Sequence, residues 1–209
     1  MSSEGRLVVI SGPSGVGKTA VTREMLKLPA FERVVTCTTR PPRAGEMDGR
    51  DYHFLAEEEF EEGIRNDRFL EHAKVHGHLY GTPRAAVEEP LRRGRSVILN
   101  IDVQGAASIR GVLEKSRGPG GCGSGIGKNG VTMVFLLPPS LEELERRLRA
   151  RGTDTEAQVR TRLKTAKKEL EEKDGYDHQV VNGDLTQAVR EVLGCVGIRD
   201  QSGESSSQA

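Results

Sequence analysis

One stretch of eight residues, GPSGVGKT from Gly12 to Thr19, narrows the folds open to this 209-residue chain more than any other. Gly12, Gly15 and Gly17 can take left-handed backbone conformations and turn successive N–H groups toward one point. The stretch follows RLVVIS, a β-branched run with the composition of a buried strand, and precedes KTAVTREMLKL, whose spacing predicts a helix that stops at Pro29. Strand, glycine loop and helix N-terminus in that order make an anion site, because the loop amides and the helix dipole act on the same point. The pattern predicts a bound nucleoside triphosphate, cradled by Gly12, Pro13, Ser14, Gly15, Val16 and Gly17. Lys18 would bridge its β- and γ-phosphates, and Thr19 would give its hydroxyl to Mg²⁺. A glycine-rich turn without a ligand is the competing reading, and the strand–loop–helix context argues against it.

Strand-like and helix-like segments alternate through most of the remainder. RVVTCTT reads as a second strand, RSVILNID, TMVFLLPP and HQVVNG as later ones. VQGAASIRGVLEK, SLEELERRLRARG, DTEAQVRTRLKTAKKELEEKDG and DLTQAVREVLG read as helices, the second with a capping box between Ser140 and Glu143. This order calls for a parallel sheet with helices on both faces. The exception is Thr36 to Thr82, which reads as a mixed inserted lobe. It holds a turn-rich loop, a strand near Asp51 to Leu55, a helix at AEEEFEEGIRND and two strands around Gly77. RAAVEEPLRRG reads as a helix with a late proline, Pro90. SRGPGGCGSGIGKNG has the composition of a flexible loop, and QSGESSSQA that of a disordered tail.

Lys plus Arg and Asp plus Glu both number 31, and this balance argues against bulk attraction to nucleic acid or membrane. No apolar run reaches the length of a membrane span, and no basic stretch leads into a long apolar region as in a secretory signal. Cys37, Cys122 and Cys195 form no CxxC pair, so neither a disulfide framework nor a zinc site is expected, and a reducing cytoplasm is the simple reading.

A phosphate loop does not name the group that receives the phosphate. The segments TCTTRPPRAGEMDGRDYHF, FLEHAKVHGHLYGTP and NIDVQGA, continuing through LPPSLEELERRLRARGTDTE to VVNGDL, resemble guanylate kinase over nearly the whole chain. The resemblance implies a phosphate-loop nucleoside monophosphate kinase fold: a parallel five-stranded sheet flanked by helices, an inserted GMP-binding lobe and a helical lid. On that frame the chain is a single domain, with core parts at 5–35, 86–138 and 169–198. The lobe spans 36–85, the lid 139–168, the glycine-rich insertion 116–130 and the tail 199–209. The implied reaction is ATP plus GMP, and dGMP in addition, giving ADP plus the diphosphate, with Mg²⁺. Neither nucleic acid nor membrane is an expected partner, and the protein would act as a monomer or homodimer.

The residues agree with that resemblance. Arg40 and Arg43 sit three apart on a proline-stiffened loop, and two guanidiniums held close without a nearby acid suit a doubly charged phosphate. Tyr52 and Tyr80 add hydroxyl donors, and in the family the matching positions clamp the phosphate of GMP. A solvated basic turn with two core tyrosines is the alternative. Glu71 lies inside an apolar strand and needs a partner; one carboxylate can accept from both N1–H and the 2-amino group of guanine. A surface strand position is its bland alternative. Thr36 and Thr82 match positions whose hydroxyls help read the base, and Asp102 a further guanine contact. Arg147, Arg151 and Arg162 match arginines that close over ATP and neutralise the moving phosphoryl group, alongside Lys18 and Arg40; Arg146 and Arg149 read as solvated. Asn182 matches a residue near the adenine.

Two departures stand out. Asn100 occupies a position where the family has an acid near the metal, so it would act on Mg²⁺ at most through water and without charge. The stretch from Gly118 to Asn129 is an insertion. His72, His76 and His78 cluster, but no Cys or carboxylate other than Glu71 lies at a metal-binding offset. Two rivals remain: a kinase of the same fold acting on a ribose phosphate, which should lack the Glu71 and Thr36 pair, and a non-catalytic guanylate-kinase-like module that grips phosphopeptides, which typically loses the phosphate loop.

Overall fold

The computed structural model describes residues 5–75, 77–116, 130–150 and 155–198. In chain order the elements begin β1 (Leu7–Ser11), α1 (Lys18–Met25), β2 (Phe31–Arg33), β3 (Cys37–Thr38), β4 (His53–Phe54), α2 (Glu57–Arg65), β5 (Phe69–Val75) and β6 (His78–Pro83). They continue α3 (Arg84–Arg92), β7 (Ser96–Asn100), α4 (Val103–Ser116), β8 (Val131–Leu137), α5 (Leu141–Ala150), α6 (Glu156–Glu171), a 3₁₀ turn at Glu172–Gly175, β9 (His178–Val181) and α7 (Leu185–Cys195). The glycine-rich insertion and the tail lie outside the described residues.

Five strands form a parallel sheet in the order β2-β7-β1-β8-β9, with β1 in register against Val97 and Val131 at Leu7. Every residue of β1 is buried, as expected for a strand covered on both faces. Side chains alternate between two cores. Val8, Ile10, Ile98, Val134, Leu136 and Val180 pack with Val21 and Met25 of α1 and Val192 and Leu193 of α7. Leu7, Val9, Val97, Leu99, Met133 and Phe135 pack with Val87 of α3, Ala106 and Ile109 of α4, and Tyr176.

The run RVVTCTT departs from the single strand expected of it. β2 ends at Arg33 and belongs to the parallel sheet; β3 begins at Cys37 and belongs to a second sheet, ordered β4-β3-β6-β5. An apolar run carries no mark of which core each residue enters: Val34 is buried in the main core and Cys37 in that of the lobe. The second sheet is mixed, β3 lying parallel to β4 and antiparallel to β6. β5 and β6 form the hairpin expected around Gly77 and pair Glu71 with Thr82. α2 closes this lobe by stacking Phe60 on Phe69 at 4.3 Å. Pro90 lies within α3, two residues from its end.

α5 and α6 join through Leu144, Leu148, Val159 and Ala166. Ser140 Oγ accepts the Glu143 N–H at 3.2 Å, while the Glu143 carboxylate turns to Arg146 and Arg147. Arg149, expected to be merely solvated, pairs with Glu145 of its own helix at 2.7 Å and with Glu156 of α6, strapping the two helices together. α6 is shorter than the helix expected from DTEAQ to KDG: Thr155 caps it, accepting the Gln158 N–H, and a 3₁₀ turn succeeds it. Among the described residues no helix is long and apolar enough to cross a membrane.

Candidate active site

The phosphate loop joins β1 to α1 at the carboxyl end of the parallel sheet. Gly12 has φ 136°, and an added methyl there would collide with the Leu136 carbonyl of β8. Gly17, at φ 102°, caps α1, and a methyl there would collide with the Asn182 amide. The loop is therefore packed tightly from behind at both ends. Lys18 Nζ donates to the Gly12 carbonyl at 2.5 Å and to that of Pro13 at 3.2 Å. Thr19 Oγ1 accepts from Asn100 Nδ2 at 3.3 Å, so the end of β7 adjoins the start of α1.

Three side chains brace the loop from elements late in the chain. Asn182, 5% exposed, donates its amide to the Val16 carbonyl at 2.7 Å. Arg147 of α5 donates to the same carbonyl at 3.2 Å and to Gly183 at 3.4 Å, while its Nε holds Glu143 at 2.8 Å. Glu169 of α6 accepts the Ser14 N–H at 3.3 Å. Arg162 lies half-buried on α6, and Arg151 falls outside the described residues.

The lobe and the core enclose a pocket of about 180 Å³ lined by Thr36, Tyr52, Glu71, Tyr80, Asn100 and Asp102, with Ala73, Val75 and Ile101 as apolar wall. Most of the residues expected to meet a guanine nucleotide thus share one cavity. Glu71 is 6% exposed and accepts the Thr82 hydroxyl through Oε1 at 2.6 Å. Burial pushes its carboxyl up to about 7; the Thr82 bond opposes that shift and the charge of Asp102 adds to it. The surface-position alternative for Glu71 is therefore excluded. Asp102 caps α4, accepting the Gly105 N–H at 2.9 Å. A methyl on Gly105 would stand 3.0 Å from Glu71 Oε2 and 3.4 Å from Asp102 Oδ1, so this glycine lets α4 approach the carboxylates.

Beside the pocket lies the basic loop, and here one expectation fails: Arg40 does have an acid beside it. Nη1 and Nη2 each donate to a Glu46 oxygen at 3.0 Å, and Nη1 also holds the Pro41 carbonyl at 2.7 Å. Glu46 further accepts the Arg43 N–H at 2.7 Å. The acid escaped notice because it is six residues on, and only the turn at 41–46 brings it back. Arg40, which is buried, lies over the rings of Tyr52 and Phe54 at 5.4 and 5.9 Å. Tyr80 meets Tyr52 edge-on at 6.1 Å, and together with Glu46 it favours the charged guanidinium. The Arg43 side chain is exposed at the rim.

His72 is exposed, as its alternation with buried Glu71 requires, and His76 lies outside the described residues. Among the described residues no group of three metal-ligating side chains gathers. Glu46, Gly105 and Glu169 were not foreseen. Gly105 stood inside the quoted segment NIDVQGA, but a glycine in a helical run does not announce what it lies against.

The family model described as guanylate kinase matches residues 4–117 and 127–196, skipping a stretch inside the expected insertion. A guanylate kinase of Rubrobacter xylanophilus is 45% identical over 90% of this chain and 92% of its own. One from Synechocystis is 41% identical over 94% of this chain and 95% of its own. The crystal structure of guanylate kinase from Anaplasma phagocytophilum superposes with a TM-score of 0.72 at 31% identity, covering 93% of this chain and 86% of that one.

Proposed function

Because the chain belongs to the guanylate kinase family, we propose that it transfers the γ-phosphoryl group of ATP to GMP, giving ADP and GDP. The observation that carries this reading is the Glu71–Thr82 pair, buried in a pocket with Asp102 and placed beside the Arg40–Tyr52–Tyr80 cluster. An ionised Glu71 accepts from guanine N1–H and the 2-amino group together; adenine would set a bare acceptor against the same charge. Thr36 and Asp102 complete the base contacts. The phosphate of GMP lies toward Arg40, Arg43 and the two tyrosine hydroxyls. dGMP carries the same base and phosphate and fits the same contacts.

On the donor side, the loop amides from Gly12 to Thr19 hold the triphosphate. Lys18 exchanges the Gly12 and Pro13 carbonyls for β- and γ-phosphate oxygens. Arg151 and Arg162 of the lid offset charge on the group in flight, joined by Arg147 once it exchanges the Val16 and Gly183 carbonyls for the nucleotide, and Asn182 fixes the loop from behind while flanking the adenine side. The chemistry is positioning and charge stabilisation, with no covalent intermediate on the protein. The Thr19 hydroxyl is a hard donor at the loop mouth and fits Mg²⁺, with Asn100, whose amide N–H donates to that hydroxyl, acting on the ion only through water; when bound, the ion would neutralise β- and γ-phosphate charge. Free Cys37 and Cys195 accord with a reducing cytoplasm, where we place the protein.

The test is a coupled assay of ATP with GMP, AMP, CMP, UMP and ribose 5-phosphate. Transfer to GMP at least a hundredfold more efficient than to the others is expected. Preferred transfer to the sugar phosphate, or phosphopeptide binding with no transfer at all, would overturn the reading.

A further inference from the structure

The three braces behind the phosphate loop differ in chemical sense. Asn182 and Arg147 donate to the Val16 carbonyl, a group that no phosphate can use. Glu169 accepts from the Ser14 N–H, the kind of group that a phosphate does use. A carboxylate and a phosphate oxygen cannot share that N–H, and they repel one another beside it.

Glu169 also stands where such a competition can be felt elsewhere. Val159, Arg162, Ala166 and Glu169 are spaced three, seven and ten residues along α6, so they form one stripe of the helix. Val159 and Ala166 bury that stripe against Leu144 and Leu148 of α5, and those leucines pack on Gly15 of the loop: a methyl added at Gly15 would lie 2.8 Å from Leu148. Arg162 is thus two turns from Glu169 on the same face. Lys18 meanwhile satisfies itself on the Gly12 and Pro13 carbonyls, so the loop's ammonium and one of its N–H groups are both held by the protein itself in this conformation.

We propose that Glu169 is a positioning residue for the donor: its carboxylate holds the Ser14 N–H in competition with the triphosphate, and its displacement releases α6 to carry Arg162 over the bound nucleotide. The proposal rests on the phosphate-loop reading above. It differs from simple bracing in the sign of its effect. A brace that is removed loosens the loop and weakens the donor; a competitor that is removed strengthens it.

The experiment is calorimetric titration of the full chain with Mg²⁺ and AMP-PNP, for wild type, Glu169→Gln and Glu169→Ala. Glu169→Gln keeps the shape and removes the charge, so the affinity for AMP-PNP should rise at least threefold while that for GMP, titrated alone, stays within twofold. Unchanged or weaker AMP-PNP binding by a folded Glu169→Gln would overturn the proposal. Should the variants fail to fold, the wild-type protein still decides: the Ser14 amide proton should shift on adding AMP-PNP and the side-chain carboxyl carbon of Glu169 should shift with it. A Glu169 carboxyl resonance that does not move while Ser14 does would also overturn it. Lys18→Ala separates the two readings: AMP-PNP binding that survived unchanged there would overturn the phosphate-loop reading and this proposal with it, whereas binding lost in Lys18→Ala but not raised in Glu169→Gln would overturn this proposal alone.

Discussion

Glu71 is poised near half-protonation at neutral pH, because burial in the acceptor pocket and the charge of Asp102 raise its carboxyl to about 7. A carboxyl raised in the folded state binds its proton more tightly there than in the unfolded chain. Its contribution to stability is therefore fully present below about pH 4.5 and is lost as pH rises through 7. The shift corresponds to a loss on the order of 3 kcal/mol across that window. Glu71→Gln should flatten it, which urea denaturation at pH 5 and pH 8 would check; an equal fall in the variant would refute the assignment. If guanine is read by the ionised form as proposed, the KM for GMP should rise about fivefold between pH 7 and pH 6. Below about pH 6 the phosphate of the nucleotide takes up its own proton, so the upper unit is the diagnostic one, and the effect should be absent in Glu71→Gln. Glu46 makes a second expectation at this scale. It fixes the fork of Arg40 through both oxygens, so Glu46→Ala should lower kcat/KM for GMP about tenfold, or about 1.4 kcal/mol, with the KM for ATP unchanged. Residues whose chemistry was unusual for their setting were legible in the sequence: a glutamate in an apolar strand, a lysine after three glycines. Partners contributed by a turn, such as Glu46, or by a distant helix, such as Glu169, were not, because no local pattern records them.

Among the elements, α4 carries the sharpest dependence of site on packing. Its first turn is capped by Asp102, and Gly105 brings it against Oε2 of the Glu71 carboxylate, whose Oε1 already accepts the Thr82 hydroxyl. Gly105→Ala adds a methyl where the carboxylate must give by a few tenths of an ångström. KM for GMP should rise about tenfold while helix propensity works in the opposite direction for stability. A thermal melt beside the GMP kinetics separates the two, and an unchanged KM would show that the carboxylate moves freely. α1 offers the converse case, in which the element survives and its chemistry does not. Lys18→Ala should abolish most transfer while leaving the fold and GMP affinity intact, read by single-turnover transfer and GMP calorimetry. The order of strands and helices was legible because both faces of the sheet are covered, which writes each strand as a continuous apolar run. The break between β2 and β3 was not, since leaving one core for another changes the partner and not the hydropathy.

For the molecule as a whole, charge divides the clamp between parts that are joined by little chain. The lobe brings Arg40 and Glu71, the core brings Lys18 and Asp102, and α5–α6 bring Arg147 and Arg162. If donor and acceptor bind as proposed, neither nucleotide alone engages all three, and ATP analogue and GMP together should draw lobe and helices inward. Small-angle scattering should give a smaller radius of gyration with a bisubstrate analogue than without it, and no change at confirmed saturation would speak against closure. The division into core and lobe was visible as a change from regular alternation to turn-rich sequence at Thr36, while the ladder that shuts the lobe was not. That ladder has a further consequence. Cys37, near the entry of the lobe, pairs with Gly81, near its exit, and the lobe keeps its own buried cluster around Phe60 and Phe69. The chain thus departs from and returns to one place, so the lobe is a closed excursion rather than a span between two distant points of the core. Its amides can exchange with solvent by opening as one unit, with a free energy below that of the parallel sheet. In deuterium they should label as a single cooperative block, and if GMP binds between lobe and core as proposed, its protection should rise with GMP and stay unchanged with ATP.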